Sequence, residues 1–211
     1  MTTSFHRRGL LAAVAGLALP VAARPGPGVM LAREAPAGID PAGYLVSEKY
    51  DGVRALWNGH ELRFRSGRPV VAPAWFTQAL PAHALDGELW LGRGRFEDLS
   101  GLVRRTTADD AGWRALRYMA FDLPQAGGPF SQRATQLDAL VRQTGFDNLV
   151  AAPQRRVESA ALLTRWLDQV VRDGGEGLVL HRAAALWQAG RSDDLLKLKP
   201  LADAEATVEG H

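Results

Sequence analysis

The stretch 47–54, Ser-Glu-Lys-Tyr-Asp-Gly-Val-Arg, constrains the chain more than any other part of the sequence. It holds one of only three lysines, Lys49, Lys197 and Lys199, although the chain has 25 basic residues. A guanidinium group stays protonated at any usable pH, whereas an ammonium group can lose its proton and attack phosphorus or a carbonyl carbon. The sparing use of lysine therefore predicts that Lys49 is a nucleophile. The competing interpretation of this stretch is a β-hairpin with an Asp-Gly turn between surface charges.

Four later motifs bear on that choice. In Asp86-Gly87-Glu88 two carboxylates flank a glycine, which would let the backbone approach a ligand closely. A simple Asp-Gly turn is the alternative. Phe121 offers either a ring for stacking on a flat base or a core side chain. Glu176 opens an apolar strand, where it would face a ligand or cap a turn. Lys197 and Lys199 share one strand face, which favours an anion between them unless both are merely solvated.

The composition is that of an ordinary globular domain, with 211 residues, 46% of them hydrophobic and 23% charged. The chain has no cysteine, which excludes a disulfide framework, a thiolate zinc site and a catalytic thiol. Short segments with period-two alternation are mixed with amphipathic helical segments, without a repeating strand-helix-strand order. The sequence therefore predicts an α+β fold with largely antiparallel sheets flanked by helices.

The amino terminus has the order of a secretory signal peptide. Arg7 and Arg8 precede the apolar run 9–19 and the small residues that end at Ala23. Eleven apolar residues are too few to span a bilayer, so no stable membrane insertion is expected. Cleavage after Ala23 would remove two arginines and no acid, bringing the formal charge from +2 to zero. Periplasmic localisation follows if the signal is used, and a frayed or amphipathic N-terminus in a cytoplasmic protein is the alternative.

Taken together, the motif K-x-D-G-x-R at 49–54 and the four later motifs resemble the nucleotidyltransferase (adenylation) domain of ATP-dependent DNA ligases, and in particular the minimal bacterial Lig E group. The resemblance covers residues 43–211 and implies an ATP-grasp-like α+β fold. Residues 1–23 are then expected to be a signal peptide and 24–42 a leader, both rich in small residues. The resemblance also predicts an OB-fold domain after the last lysine motif, and we expect this chain to lack it.

The resemblance implies a lysine–AMP intermediate, transfer of AMP to a 5′-phosphate, and sealing of nicks in duplex DNA by a monomer that uses ATP with Mg²⁺ or Mn²⁺. Its implied catalytic residues are the three lysines. The implied nucleotide-binding residues are Glu48, Lys49, Arg54, Glu88, Phe121, Glu176, Lys197 and Lys199, with Glu88 and Glu176 as metal ligands. Phe121 would stack on adenine, and Lys197 and Lys199 would contact the α-phosphate. Arg65, Ser66 and Arg68 would contact DNA.

One position departs from the pattern of larger ligases, which often have lysine where this chain has His181, and we assign His181 no role from sequence. Two classes of alternative function stay open. An RNA ligase or a GTP-using capping enzyme would share Lys49 and the later motifs, although the segment 65–67 and the secretory leader argue against capping. A catalytically incomplete nucleotide- or DNA-binding domain is the other alternative.

Overall fold

The structure, a computed structural model, describes residues 28–200. The predicted signal peptide lies outside the described residues, and so does the segment 204–208, whose sequence is strand-like. The nine strands are β1 (Met30–Glu34), β2 (Tyr44–Lys49), β3 (Val53–Trp57), β4 (Leu62–Phe64), β5 (Leu85–Trp90), β6 (Arg117–Asp122), β7 (Leu149–Ala151), β8 (Gly177–Arg182) and β9 (Gly190–Leu198). The five helices are α1 (Ala74–Gln78), α2 (Phe96–Val103), α3 (Asp110–Ala115), α4 (Phe130–Thr144) and α5 (Ala160–Arg172).

The strands form two sheets, and this confirms the predicted α+β class. The first sheet has the order β1-β9-β8-β2, and the second has the order β4-β3-β5-β6-β7. In each sheet one edge strand is parallel to its neighbour, β1 to β9 and β7 to β6, while the other pairs are antiparallel. None of the helices in the part of the chain that the structure describes is long and apolar enough to cross a membrane.

The stretch around Lys49 does not form a hairpin. Lys49 ends β2 in the first sheet, whereas Arg54 belongs to β3 in the second sheet, so residues 50–52 cross from one sheet to the other. Gly52 is required at this crossing because a Cβ atom there would lie 2.3 Å from the Leu89 carbonyl oxygen and 2.6 Å from Glu88 Cγ. The motif therefore joins the two sheets and places its two basic side chains on different sheets.

Each sheet has its own apolar core. Helix α5 packs on the first sheet through Leu163, Leu167 and Val170, which belong to a cluster with Leu178 and Leu180. The larger cluster lies on the second sheet and includes side chains of all the first four helices. The amphipathic periodicity of α4 and α5 reflects these contacts, because only one stripe of each helix is buried. The two cores leave the facing sides of the sheets free to build a cleft.

Two local expectations from sequence are wrong. The segment 24–42 was expected to be only an extended leader, but Met30–Glu34 forms β1 and pairs with β9. Proline and glycine on both sides of this strand obscure its alternation in the sequence. Gly87 was expected to admit a ligand, but it admits the Tyr118 ring, since a Cβ atom there would lie 2.6 Å from Tyr118 Cε2. The Tyr118 hydroxyl donates to the carbonyl oxygens of Ala55 and Leu85 at 2.9 and 3.1 Å, which ties β6 to the neighbouring strand β5 and to β3 beyond it.

Candidate active site

A cleft lies between the two sheets, and strand register explains which side chains face it. Paired residues on neighbouring strands point to the same face. Lys49 pairs with Gly177, Ser47 with Val179, and Leu45 with His181. On the other side of β8, Lys197 pairs with Val179 and Leu195 with His181. The lining of the cleft includes Ser47, Lys49, Val179, His181, Leu195 and Lys197 from the first sheet and Arg54, Asp86, Glu88, Phe121 and Asp122 from the second.

Lys49 is held at the mouth of this cleft by a carboxylate. Its Nζ donates a hydrogen bond to Glu176 Oε2, and Lys199 Nζ lies 2.6 Å from Glu176 Oε1. Burial opposes ionisation of Glu176, but the hydrogen bonds from Lys199 and Lys49 outweigh it and lower the pKa of this carboxyl. Three residues that the motifs predicted to act together are therefore in contact, although 127 positions separate Lys49 from Glu176.

Lys197, on β9, faces the same cleft as Lys49 but pairs with a different carboxylate. Its Nζ is 2.6 Å from Glu34 Oε1 on β1, and the Glu34 side chain is 69% exposed. An ion pair with one partner so exposed contributes little to stability, because water screens it. The pair costs little to break, and Lys197 is free to turn toward a phosphate in the cleft that it lines.

Arg54 is fixed by Asp86 on the neighbouring strand. Arg54 Nε lies 2.9 Å from Asp86 Oδ1 and the second nitrogen lies 2.6 Å from Oδ2. This two-point contact orients the planar guanidinium group, whose central carbon stands 5.2 Å from the centre of the Phe121 ring. Phe121 is the extra residue of a β-bulge, since Asp86 pairs with Asp122 and Gly87 with Ala120. A bulge redirects a side chain, and this one brings Phe121 to the cleft.

Glu88 has no dedicated cationic partner among the described residues. Burial raises the pKa of Glu88 to about 8, although the charges of Arg54 and Lys49 oppose the shift. Its carboxyl group is thus largely protonated at neutral pH in the protein alone. A cation arriving in the cleft would favour its ionised form.

Glu48 borders the cleft, as the resemblance predicts, but its carboxylate is bound by an arginine of the protein. Both of its oxygens accept hydrogen bonds from Arg93, from Nε and from one terminal nitrogen, each at 2.8 Å. Arg93 also donates to the Asp173 carbonyl oxygen at 3.4 Å, at the end of α5. Glu48 therefore commits its carboxylate to a link between the loop after β5 and the first sheet. The residue borders the cleft, but its charge serves this link.

Arg65, Ser66 and Arg68 lie together in the exposed turn after β4. Gly67 closes the turn at φ 85°, and its N–H donates to the Phe64 carbonyl oxygen at 2.8 Å. Because Phe64 pairs with Ala55, the turn extends past the end of β3 where Arg54 lies. The three polar side chains are thus outside the cleft and at the same edge of the second sheet as its mouth.

Sequence reasoning missed two residues, Arg93 and Gln154, and left the contacts of two others unassigned. Arg93 holds Glu48, and Gln154 lines the cleft. Asp86 was noted as part of Asp86-Gly87-Glu88, but nothing in the sequence says that it pairs with Arg54. His181 was noted without a role, and it lines the cleft. Gln154 follows β7 in a loop without a motif, so no sequence signal marks it.

Two carboxylates, that of Glu88 in the cleft and that of Glu176 at its mouth, suit a hard divalent cation. Among residues 28–200, no group of three or more His, Asp or Glu side chains is arranged to hold a metal ion. Mg²⁺ is commonly bound by one or two carboxylates together with substrate phosphates and water. The donor set therefore fits a cation that arrives with a phosphate-bearing substrate.

Comparisons with known proteins place this geometry in context. Residues 30–199 match the family model described as the ATP dependent DNA ligase domain. The chain is 36% identical over 169 residues to a DNA ligase of Haemophilus influenzae, covering 80% of this chain and 62% of that protein, so it spans less than two thirds of that relative's length. A solved structure from a study of DNA binding by Lig E DNA ligases superposes with a TM-score of 0.77 at 41% identity, over 82% of this chain and 68% of that one. The Chlorella virus DNA ligase-adenylate shares the fold, with a TM-score of 0.68 at 18% identity over 82% and 68% of the two chains.

Proposed function

Because the chain belongs to the family of ATP-dependent DNA ligase domains, we propose that it takes AMP from ATP onto Lys49 and passes it to the 5′-phosphate at a nick in duplex DNA. The observation that carries this proposal is the contact of Lys49 and Lys199 with the two oxygens of Glu176 at the mouth of the cleft. An amine, a second cation and a carboxylate are thereby gathered at one point. The rest of the cleft offers a ring, a fixed guanidinium group and polar side chains to a nucleotide.

In the first step the Lys49 nitrogen attacks the α-phosphorus of ATP, a nitrogen–phosphorus bond forms, and the bond to pyrophosphate breaks. The ammonium group must first give up a proton to water, and the positive charges of Lys199, Lys197 and the divalent cation that would be held beside it favour the neutral amine. Lys199, on the other Glu176 oxygen, and Lys197 supply positive charge for the α-phosphate oxygens as negative charge grows on them. Arginine in place of lysine would keep the charge but remove the nucleophile.

Arg54 and Phe121 orient the nucleotide. Asp86 already fixes the Arg54 guanidinium group in the protein alone. The remaining N–H donors of Arg54 can therefore bind a nucleotide with little further loss of side-chain entropy. Phe121 offers a face to adenine, and base–aromatic stacking contributes about 1–3 kcal/mol per base. Glu88 and Glu176 would hold Mg²⁺ or Mn²⁺, which neutralises phosphate charge and assists departure of pyrophosphate.

The later steps need DNA at the mouth of the cleft. A DNA 5′-phosphate oxygen attacks the lysine-bound AMP, which frees Lys49, and the adjacent 3′-hydroxyl then displaces AMP to close the backbone. Contacts with DNA phosphates are assigned to Arg65, Ser66 and Arg68, which are exposed in the turn after β4, and this assignment is supported by their exposure and by the positive charge of the two arginines. The second candidate function, a nucleotide- or DNA-binding domain without chemistry, predicts binding without labelling.

The test offers radiolabelled ATP, GTP and NAD separately to the full chain and to a Lys49→Arg variant, and then measures label that survives denaturation. The proposal predicts label from ATP on the wild type and none on Lys49→Arg. Arg114→Lys, an exposed site outside the cleft, is the matched control for a lysine–arginine exchange and should label like the wild type. Binding of ATP without any stable label would instead support the binding-domain alternative, and label from GTP would support the capping alternative.

Two further parts of the proposal concern the whole protein. Export to the periplasm is supported by the order of residues 1–23, and these residues should export a reporter that matures only outside the cytoplasm. Retention of the reporter would overturn the localisation. The protein is proposed to act as a monomer on nicked DNA, which sedimentation of the protein with and without a nicked duplex would test.

A further inference from the structure

Two polar atoms on the wall of the cleft have no role in the steps above. Gln154 Oε1 and His181 Nε2 are both buried, and neither has a hydrogen-bond partner among the residues that the structure describes. Both residues line the same cleft as Lys49. Buried polar atoms are nearly always hydrogen-bonded in folded proteins, so two unmatched atoms beside one ligand cleft call for a ligand that matches them.

Strand register places both residues away from the mouth. Residue 155 forms an antiparallel bridge with Val46, with both hydrogen bonds at 2.8 Å, so Gln154 lies beside Ser47. His181 pairs with Leu45, four residues back along β2 from Lys49. Each residue of a strand advances about 3.3 Å, so Gln154 and His181 stand roughly 7 and 13 Å deeper than Lys49 along the sheet. A nucleotide joined to Lys49 through its phosphate would present its base at this depth.

The hydrogen-bonding character of Gln154 is set by its surroundings. Its Nε2 donates to the Ala152 carbonyl oxygen at 3.3 Å. If the amide oxygen and nitrogen were exchanged, the Gln154 oxygen would face the Ala152 carbonyl oxygen, and two acceptors would meet. The Gln154 atom without a partner is therefore the oxygen, an acceptor. An acceptor suits the 6-amino group of adenine and is repelled by the 6-oxo group of guanine.

His181 is held as a neutral ring. It stacks on Phe130 with centroids 3.6 Å apart and planes 17° apart, which fixes its orientation. Burial lowers its pKa to about 4, with Asp122 opposing the shift and Arg133 adding to it. A neutral imidazole has one donor and one acceptor, so it can donate to a ring nitrogen of a purine without bringing a charge into the cleft.

From these observations we infer that Gln154 and His181 recognise the adenine base, with Gln154 accepting a hydrogen bond from the 6-amino group and His181 donating to a ring nitrogen. This inference rests on the proposed function and names the residues that would select its nucleotide. It also gives His181 a role that lysine at the same position in larger ligases would not share.

The test measures kcat/KM for self-adenylation with ATP and with the 6-deamino analogue, purine riboside triphosphate. The wild type should prefer ATP by about tenfold or more, because a site built to bond an amino group rejects an analogue that lacks it. Gln154→Met, which keeps the length of the side chain, should lower the use of ATP, leave the use of the analogue unchanged, and bring the ratio close to one. The loss should lie in KM, with the rate at saturating ATP retained. Gln154→Leu repeats the test should Gln154→Met unfold.

His181 is tested by substitution and rescue. His181→Leu should lower kcat/KM by about tenfold for both nucleotides, since both carry the ring nitrogens, and His181→Gln should restore most of it. Gln136→Leu, at an exposed position on α4, is the matched control and should keep the wild-type ratio.

The outcomes separate the two levels of the account. A wild type that takes no label from any nucleotide overturns the proposed function. A wild type labelled by ATP, with the same preference for ATP over the analogue in folded Gln154→Met and Gln154→Leu, overturns only the role of Gln154. Full activity of His181→Leu overturns the role of His181.

Discussion

Two arginine–aspartate pairs stand side by side between the sheets and serve different ends. Asp86 and Asp122 pair directly across β5 and β6, and each binds a guanidinium group through both oxygens. Arg133, from α4, is completely buried, and one of its nitrogens also donates to the carbonyl oxygens of Gly128 and Ala185. Arg54 keeps 20% of its side chain exposed and stands over Phe121 at the cleft.

The two arginines differ in the acceptors of the N–H groups that their aspartates leave free. Arg133 directs them to protein carbonyls, and one of these, Ala185, belongs to the loop between β8 and β9. Backbone bonds from Phe130 and Ser131 to the same loop, at 2.8 and 2.9 Å, reinforce this contact. Arg133 thereby fastens the second sheet to the first. Arg54 has donors left for a ligand, so the same residue pair forms a structural link in one place and is available for binding in the other.

The largest effect on stability is expected for the buried pair of Arg133 and Asp122. Arg133→Met should lower the free energy of unfolding by about 3–5 kcal/mol, because it leaves the buried Asp122 carboxylate without its partner. Arg54→Met is the matched comparison and should cost less stability, since solvent reaches that pair through the cleft. Denaturant unfolding of both variants measures the difference. Equal losses would show that the two pairs are not distinguished by burial.

Glu88, which has no cationic partner among residues 28–200, should produce a pH-dependent effect of comparable size. Its pKa in the folded protein, about 8, exceeds the unfolded value of about 4.3. The unfolded chain thus releases the proton first, and the stabilising contribution, complete below pH 4, is lost as pH rises through 8. Glu88→Gln removes this dependence, so relative to the wild type it should gain up to about 5 kcal/mol between pH 4 and pH 9, since each unit of pKa shift corresponds to about 1.4 kcal/mol.

Thermal unfolding across this pH range tests the expectation, with Glu97→Gln on the surface of α2 as the control. A stability difference between Glu88→Gln and the wild type that does not change with pH would mean that folding does not raise the pKa of Glu88.

Of the two pairs, that of Arg54 and Asp86, which solvent reaches through the cleft, should have the larger effect on catalysis. Arg54→Met should slow self-adenylation by about a hundredfold, because it removes an oriented charged hydrogen bond to the nucleotide that corresponds to about 2–3 kcal/mol. Arg133→Met, assayed at a temperature where it is folded, should adenylate within a fewfold of the wild type. The comparison fails if, per folded molecule, Arg133→Met is the slower of the two.

The smallest effect concerns arginines that have no acidic partner within residues 28–200. Arg65 and Arg68 are exposed in the turn after β4. Arg65→Ala with Arg68→Ala should weaken binding to nicked DNA by a few fold at moderate salt and lower the salt slope by about two, while adenylation stays unchanged. An unchanged salt slope would remove this turn from the DNA interface.

The sequence predicted the secondary elements well, since their alternation and helical periodicity are local properties. Strand β1 was missed because it is a short edge strand between prolines and glycines, whose pairing with β9 depends on residues 160 positions away. The crossing at 50–52 was missed because an Asp-Gly pair between two strands is typical of a hairpin. Local sequence does not show that the strands belong to different sheets.

The site shows the same limit. A known order of motifs marks Lys49, Arg54, Glu176 and Lys199 in the sequence, and the structure brings Lys49 and Lys199 into contact with Glu176. Arg93 and Arg133 act through partners distant in sequence, Glu48 and the Ala185 carbonyl oxygen, and helical periodicity alone marks Arg133 only as one more polar residue in α4. Gln154 lies in a loop without a motif and reaches the cleft only through the fold. Glu48 lies next to Lys49 in sequence but binds Arg93 in the structure.

The most direct test of the account is the position of the AMP within the chain. Lys49, Lys197 and Lys199 are the only lysines, and cleavage on the carboxyl side of acidic residues separates Lys49 from the other two. Mass spectrometry of the wild type after incubation with ATP and Mg²⁺ should find one AMP, joined to Lys49. AMP on Lys197 or Lys199, or none on Lys49 in a protein that binds ATP, would contradict the central claim.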